Sequence, residues 1–155
     1  MKKLVMLIAI LATEGISFAD GQIDIATVPY VISQPGSYIL VKDLTATSNQ
    51  TALSISTSNV TLDLNGHTLY GAGSTTGTTG YGILASSLTE NINIYNGVIR
   101  DFRLDGIHLE GINNQVHLNR VYANGSTGIY VSGSGMVWNN VIRLNIVDGI
   151  FGAGN

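Results

Sequence analysis

Apolar and polar residues alternate along this chain in short runs, and the same phrase keeps beginning again. It reads "ALSI" at 52–55, "GILA" at 82–85, "GIHL" at 106–109, "GIYV" at 128–131 and "GIFG" at 149–152. Successive starts are separated by 30, 24, 22 and 21 residues. The longest interval holds "GAGSTTGTTG", residues 71–80, whose composition predicts an inserted flexible loop. Two further phrases fill each interval. "NVTLDLNGHTL" (59–69), "NINIYNGVI" (91–99) and "NQVHLNRV" (114–121) open on Asn and then alternate, and Asn124 and Asn145 each stand four residues before a Gly-Ile. About three short strands per period of some 20–22 residues is the signature of a solenoid.

Strands this short cannot bury an apolar face alone, but coils stacked at about 4.8 Å can hydrogen-bond strand to like strand in parallel. Like side chains then stack in columns. The predicted interior columns are Leu53, Ile83, Ile107, Ile129 and Ile150; Ile55, Ala85, Leu109 and Val131; Val60, Ile92 and Val116; Leu62, Ile94 and Leu118; and Ile99, Val121 and Ile142. Asn tolerates left-handed backbone and bonds nearby main chain, so the recurring Asn are read as corner residues. Asn124 stacks over Asn145, with Phe102 in the equivalent slot one coil earlier. The glycine before each Ile is read as a corner requiring positive φ. A β-sandwich also uses short strands and frequent turns; the fixed period favours an all-β parallel β-helix of about five coils in residues 51–155.

The ends depart from the repeat. "MKKLVMLIAILATEGISFAD" has two Lys, a short apolar run and Ser17-Phe18-Ala19, which predicts a signal peptide over 1–19 and a mature start at Asp20. Residues 20–50 contain both prolines, Pro29 and Pro35, and are expected to cap the open edge of the first coil. "GIFGAGN" stops partway into a coil, so truncation at the C-terminus is expected.

Composition agrees with strands and turns. Charged residues are only 11 % of the chain and Gly number 19, a poor supply for surface helices. There is no Cys, hence no disulfide framework and no lipoprotein attachment site. Without residues 1–19, 5 basic residues face 9 acidic ones, which argues against nucleic acid and anionic membranes as partners. An exported, cysteine-free chain is expected in the bacterial envelope, either periplasmic or secreted.

"PYVISQPGSYILVKDL", then "NVTLDLNGHTLYG", then Gly-Ile coils resemble exported bacterial right-handed β-helix repeat proteins of the pectate-lyase-like superfamily. The resemblance covers essentially the whole mature chain, and right-handedness is taken from it. It implies carbohydrate-related work, as lyase, glycosidase, epimerase or adhesive surface protein. Some relatives instead are periplasmic accessory proteins of copper-enzyme maturation. Fold alone does not choose among these.

Calcium is implied only by the resemblance, and the scattered carboxylates offer no set of 6–8 oxygens. The polygalacturonase-like motifs are missing; "GHT" at 66–68 is the nearest. The densest polar cluster is "RDFRLDGIH". In it Arg103 suits a uronate carboxylate, Asp101 or Asp105 an acid or base, and His108 a proton shuttle; a solvated corner of neutralised charges is the alternative. His67, His108 and His117 lack metal-ligand spacing, so no metal site is predicted, and Met136 and Trp138 fall in a Gly-rich turn region. The outward column His108, Tyr130 and Phe151 is the candidate polysaccharide contact, the alternative being a ladder that only stabilises its sheet. The readings carried forward are a polysaccharide-binding β-helix, with catalysis open; a structural or adhesive surface repeat; and a periplasmic accessory protein.

Overall fold

The structure, a computed structural model, describes residues 21–86 and 88–153. The expected signal peptide lies outside the described residues. In chain order the strands are β1 (Gln22–Ile25), β2 (Tyr30–Ile32), β3 (Gly36–Leu40), β4 (Leu44–Thr45), β5 (Leu53–Ile55), β6 (Val60–Asp63), β7 (Thr68–Tyr70), β8 (Ile83–Ala85) and β9 (Ile92–Tyr95). They continue as β10 (Val98–Arg100), β11 (Ile107–Leu109), β12 (Asn114–His117), β13 (Arg120–Tyr122), β14 (Ile129–Ser132), β15 (Gly135–Trp138), β16 (Val141–Arg143) and β17 (Ile150–Ala153). From β2 onward each strand pairs in parallel with the third strand after it, and β1 pairs in parallel with β3. One sheet runs β1-β3-β6-β9-β12-β15, a second β4-β7-β10-β13-β16, and a third β2-β5-β8-β11-β14-β17. The chain is a right-handed parallel β-helix with three walls, here called the first, second and third after these sheets.

The interior follows from alternation. Leu53, Ile83, Ile107, Ile129 and Ile150 are register partners from coil to coil, as are Ile55, Ala85, Leu109 and Val131. Leu69, Ile99, Val121 and Ile142 form the column of the second wall. Most of these side chains are fully buried, whereas Ile150 in the last described coil is 51 % exposed.

One predicted register is wrong. Val116 stacks on Ile94 and Leu62, not on Ile92 and Val60, and Leu118 is an exposed corner residue. Asn113, not Asn114, takes the left-handed corner that Asn59 and Asn91 take in earlier coils (φ 58°, 60° and 57°). Asn114 therefore falls on the inward face. It is buried there because its Oδ1 accepts the Ile92 N–H at 3.2 Å and its Nδ2 donates to the Glu110 carbonyl at 3.1 Å. Met136 and Trp138 likewise belong to a strand, β15, rather than to a turn.

The predicted ladder is present. Asn124 Oδ1 accepts the Phe102 N–H at 3.1 Å, and Asn145 Oδ1 accepts the Asn124 N–H and Nδ2 at 3.0 Å each. A second ladder stands at the corner between the first and second walls. Gly97 N–H donates to Asn119 Oδ1, and Asn119 N–H to Asn140 Oδ1. At Gly82, Gly106 and Gly128 the glycine is explained by space, not by positive φ; Gly149, in the last described coil, has neither constraint. A Cβ on Gly128 would lie 2.4 Å from Asn145 Nδ2 and 2.7 Å from the Gly149 carbonyl oxygen. The backbone approaches the next coil too closely for any side chain.

The leading segment is itself built of strands. Residues 22–45 supply β1–β4, and β3 pairs with β6 in the same register as later coils. Its sequence is irregular, but its alternation, with Tyr38 and Leu40 inward, is not. The insertion 71–80 lies between β7 and β8. It is held by Asn49 Oδ1, which accepts the Thr78 and Thr79 N–H groups, and by Arg103 Nε donating to the Gly77 carbonyl.

Candidate functional site

On a three-residue strand with two inward positions, one side chain per coil faces out. On the third wall these are Ser54, Leu84, His108, Tyr130 and Phe151, in direct register. The predicted column exists, but its rings do not lie flat on the wall. His108 and Tyr130 stack with centroids 4.2 Å apart and planes 3° apart; Tyr130 and Phe151 follow at 5.3 Å and 8°. Each ring face between them is taken by the next ring, so edges point to solvent. Such pairs contribute about 0.5–1.5 kcal/mol each beyond burial.

His108 is the most constrained member. Asp105, two residues before β11, places Oδ2 2.7 Å from His108 Nδ1. Glu110, just after β11, lies 3.5 Å from Nε2, and Tyr81 meets the imidazole edge-on at 5.1 Å. Asp105 is buried and fixed from the next coil, where the Thr127 N–H donates to Oδ1 at 2.8 Å and Ser126 gives a further hydrogen bond. Burial alone would push the Asp105 carboxyl up, but bonds from His108, Ser126 and Thr127 outweigh it and hold the group below its ordinary value. Burial likewise opposes a charge on His108, yet Asp105 and then Glu110 raise its pKa above the ordinary imidazole value. Tyr81 is raised by burial, then by Asp105 and Glu110.

Because the His108 pKa is raised on folding, its contribution is complete below the unfolded-state pKa and fades as pH rises through the folded one. The stability difference between the native chain and His108→Gln is therefore expected to be largest in mildly acidic urea titrations. It shrinks as the buffer is made alkaline; a difference that grew with pH would contradict the Asp105–His108 pairing.

The sequence cluster does not form one site. Asp105 and His108 meet on the third wall. Asp101 instead pairs with Arg100 at 2.5 Å, and Arg103 is turned to the loop carbonyl of Gly77. A corner between β10 and β11 separates them. Neighbouring carboxylates around His108 also make the third wall unsuited to a uronate. Among the described residues, no group of three or more His, Asp or Glu side chains could hold a metal ion. At His108 the cluster brings together only two carboxylates, Asp105 and Glu110, too few for the oxygen set that calcium takes.

Two more outward columns escaped the sequence reading. On the first wall Tyr95, His117 and Trp138 stack at 5.2 and 4.3 Å, with planes 2° and 10° apart. On the second wall Tyr70, Arg100, Tyr122 and Arg143 alternate, with the guanidinium carbons of Arg100 and Arg143 4.8 and 5.1 Å from the Tyr122 ring centroid. Apart from the step of 30 from Tyr70 to Arg100, which spans the 71–80 insertion, both columns repeat at the 21–22-residue interval already visible in Gly-Ile, so that interval, applied to outward residues, is the signal that finds them. A hollow of about 810 Å³ lies at the last described coil, lined in part by Val131, Val137 and Ile150, which occupy interior positions. Compared with family models, curated proteins and solved structures, the chain matches none of them.

Proposed function

We propose that this chain is an exported β-helix domain, related to the pectate-lyase-like superfamily, that holds a polysaccharide along its outside. The supporting observation is the in-register column of His108, Tyr130 and Phe151, flanked by Tyr81 and Glu110. It presents ring edges and hydrogen-bonding groups at one-coil intervals along a straight wall, which suits an extended sugar chain. His108 serves as a fixed contact rather than a proton carrier. Its Nδ1 is held by Asp105, its Nε2 faces Glu110, and a ring face lies on Tyr130. The two carboxylates beside His108, Asp105 and Glu110, favour an uncharged polysaccharide over an acidic one.

The test is retention on an insoluble neutral polysaccharide. Tyr130→Ser combined with Phe151→Ser, shown by circular dichroism to keep its strands, is expected to lose most retention. Unchanged retention by the folded variant overturns the assignment. A second reading, a structural or adhesive surface repeat, is favoured by the ring-on-ring stacking, because rings used between coils stiffen the rod. That reading predicts a lower melting temperature for the same variant, with no binding by either protein.

A further inference from the structure

The insertion between β7 and β8 departs from the rule that governs the strands. Strand pairing joins each coil only to the coil before it and the coil after it. A solenoid built this way is a sum of nearest-neighbour contacts, so its coils can open one after another from an end. The glycine-rich composition of residues 71–80 predicts a flexible loop. The structure instead shows a strap along the corner between the second and third walls, bonded to the coils on both sides of its own. Ala72 and residues 75–79 are exposed, so the strap adds contacts between coils rather than apolar core.

Towards the coil of β3–β5, Asn49 Oδ1 accepts the Thr78 and Thr79 N–H groups at 2.6 and 3.2 Å, and the Thr79 hydroxyl donates to the Asn49 carbonyl at 3.3 Å. Towards the coil of β9–β11, the Gly73 N–H donates to the Asp101 carbonyl at 2.8 Å, and the Gly80 carbonyl accepts the Leu104 N–H at 3.1 Å. Arg103 Nε adds a bond to the Gly77 carbonyl at 3.1 Å. The strap also passes over that coil to reach the next. A Cβ on Gly125, in the coil of β12–β14, would run into the Ser74 carbonyl oxygen as well as that of Arg103. Gly125 is buried and has no positive φ. Its missing side chain makes room for two carbonyls, one of them the strap's.

We infer that residues 71–80 are an axial clasp that joins the coils of β3–β5, β6–β8, β9–β11 and β12–β14 into one cooperative unit, which opens together rather than coil by coil. A coil leaving the stack at this corner must also break its contacts with the clasp, and those contacts are shared with the coils on either side. Asn49 and Arg103, the two side chains that hold the clasp, both lie outside the strands. The clasp is independent of what the walls hold.

The test is native-state hydrogen exchange of the full chain at low urea concentrations, read at the amides of β5, β8, β11 and β14, one strand per coil on the third wall. A single unit predicts that the native strands exchange through a common opening with one urea dependence. Deleting residues 74–79 leaves six residues between β7 and β8, the length of the 101–106 corner between β10 and β11. In that variant β5 and β14 are expected to exchange about tenfold faster relative to β8, from the hydrogen bonds lost, and the urea dependences to separate. Asn49→Ala with Arg103→Met, which alters no clasp or strand residue, is expected to shift exchange in the same direction. Thr75→Ala, at an exposed clasp position, leaves the common opening in place. Protection that falls coil by coil in the native chain, a result that needs no variant, overturns the inference. So does a deletion variant whose strands still open together.

Discussion

Replacing Ile107 by Ala is expected to lower the unfolding free energy by about 2–5 kcal/mol, read as a shift of the urea midpoint. Ile107 is fully buried and stands between Ile83 and Ile129 in an interior column of the third wall. Coils hydrogen-bonded above and below keep that spacing, so the structure cannot close over the missing methyl and methylene groups. The loss therefore includes the transfer of those groups and the cavity they leave. Ile150 is the internal comparison. It occupies the same column but is 51 % exposed in the last described coil. Ile150→Ala is expected to cost about 1 kcal/mol or less, since less apolar area returns to water. Equal losses at the two positions would mean that the column does not stack as described.

Asn119→Leu is the second large effect, expected at about 3 kcal/mol or more from the groups it strands. Asn119 is buried, and its side chain serves three backbone groups: Oδ1 accepts the Gly97 N–H at 3.2 Å, and Nδ2 donates to the carbonyls of Ile94 and His117 at 3.1 and 2.9 Å. Leu fills a similar volume, so packing changes little while the polar groups lose their partner in a site closed to water. Among the described residues no buried side-chain nitrogen or oxygen lacks a partner, so the substitution introduces a defect the native fold does not contain. Amide exchange localises it: Gly97 N–H should lose protection before the strand amides of β9 do. A variant as stable as the native chain would show that the ladder contributes nothing to the corner.

The columns of the third wall were legible because Gly-Ile returns to one phase and inward positions follow by alternation. The first wall was harder for a local reason. "NNQ" at 113–115 offers two Asn where one corner is needed, and the expected column set Val116 on Ile92, two positions from its partner Ile94. Only backbone dihedrals separate the choices, since Asn113 carries the positive φ. The glycine role was misread for a related reason. Sequence shows that no side chain is wanted at Gly128, not whether a dihedral or the neighbouring Asn145 excludes it. At the candidate site the Asp105–His108 pair was in view, but Asp101 and Arg103 were grouped with it only because they are close in sequence. Between β10 and β11 the chain turns from the second wall to the third, and sequence neighbours part company there. Tyr81 and Glu110 lie outside or at the edge of the repeated phrase and carried no motif of their own.

The most direct measurement is a nuclear Overhauser spectrum of the chain with labelled isoleucine methyl groups. One-coil stacking predicts strong cross-peaks between Ile107 and Ile129 and between Ile129 and Ile150, with a far weaker one between Ile107 and Ile150, two coils apart at about 10 Å. Strong Ile107–Ile150 contact without Ile107–Ile129 contact, or helical amide patterns through residues 105–131, would contradict the coiled stack.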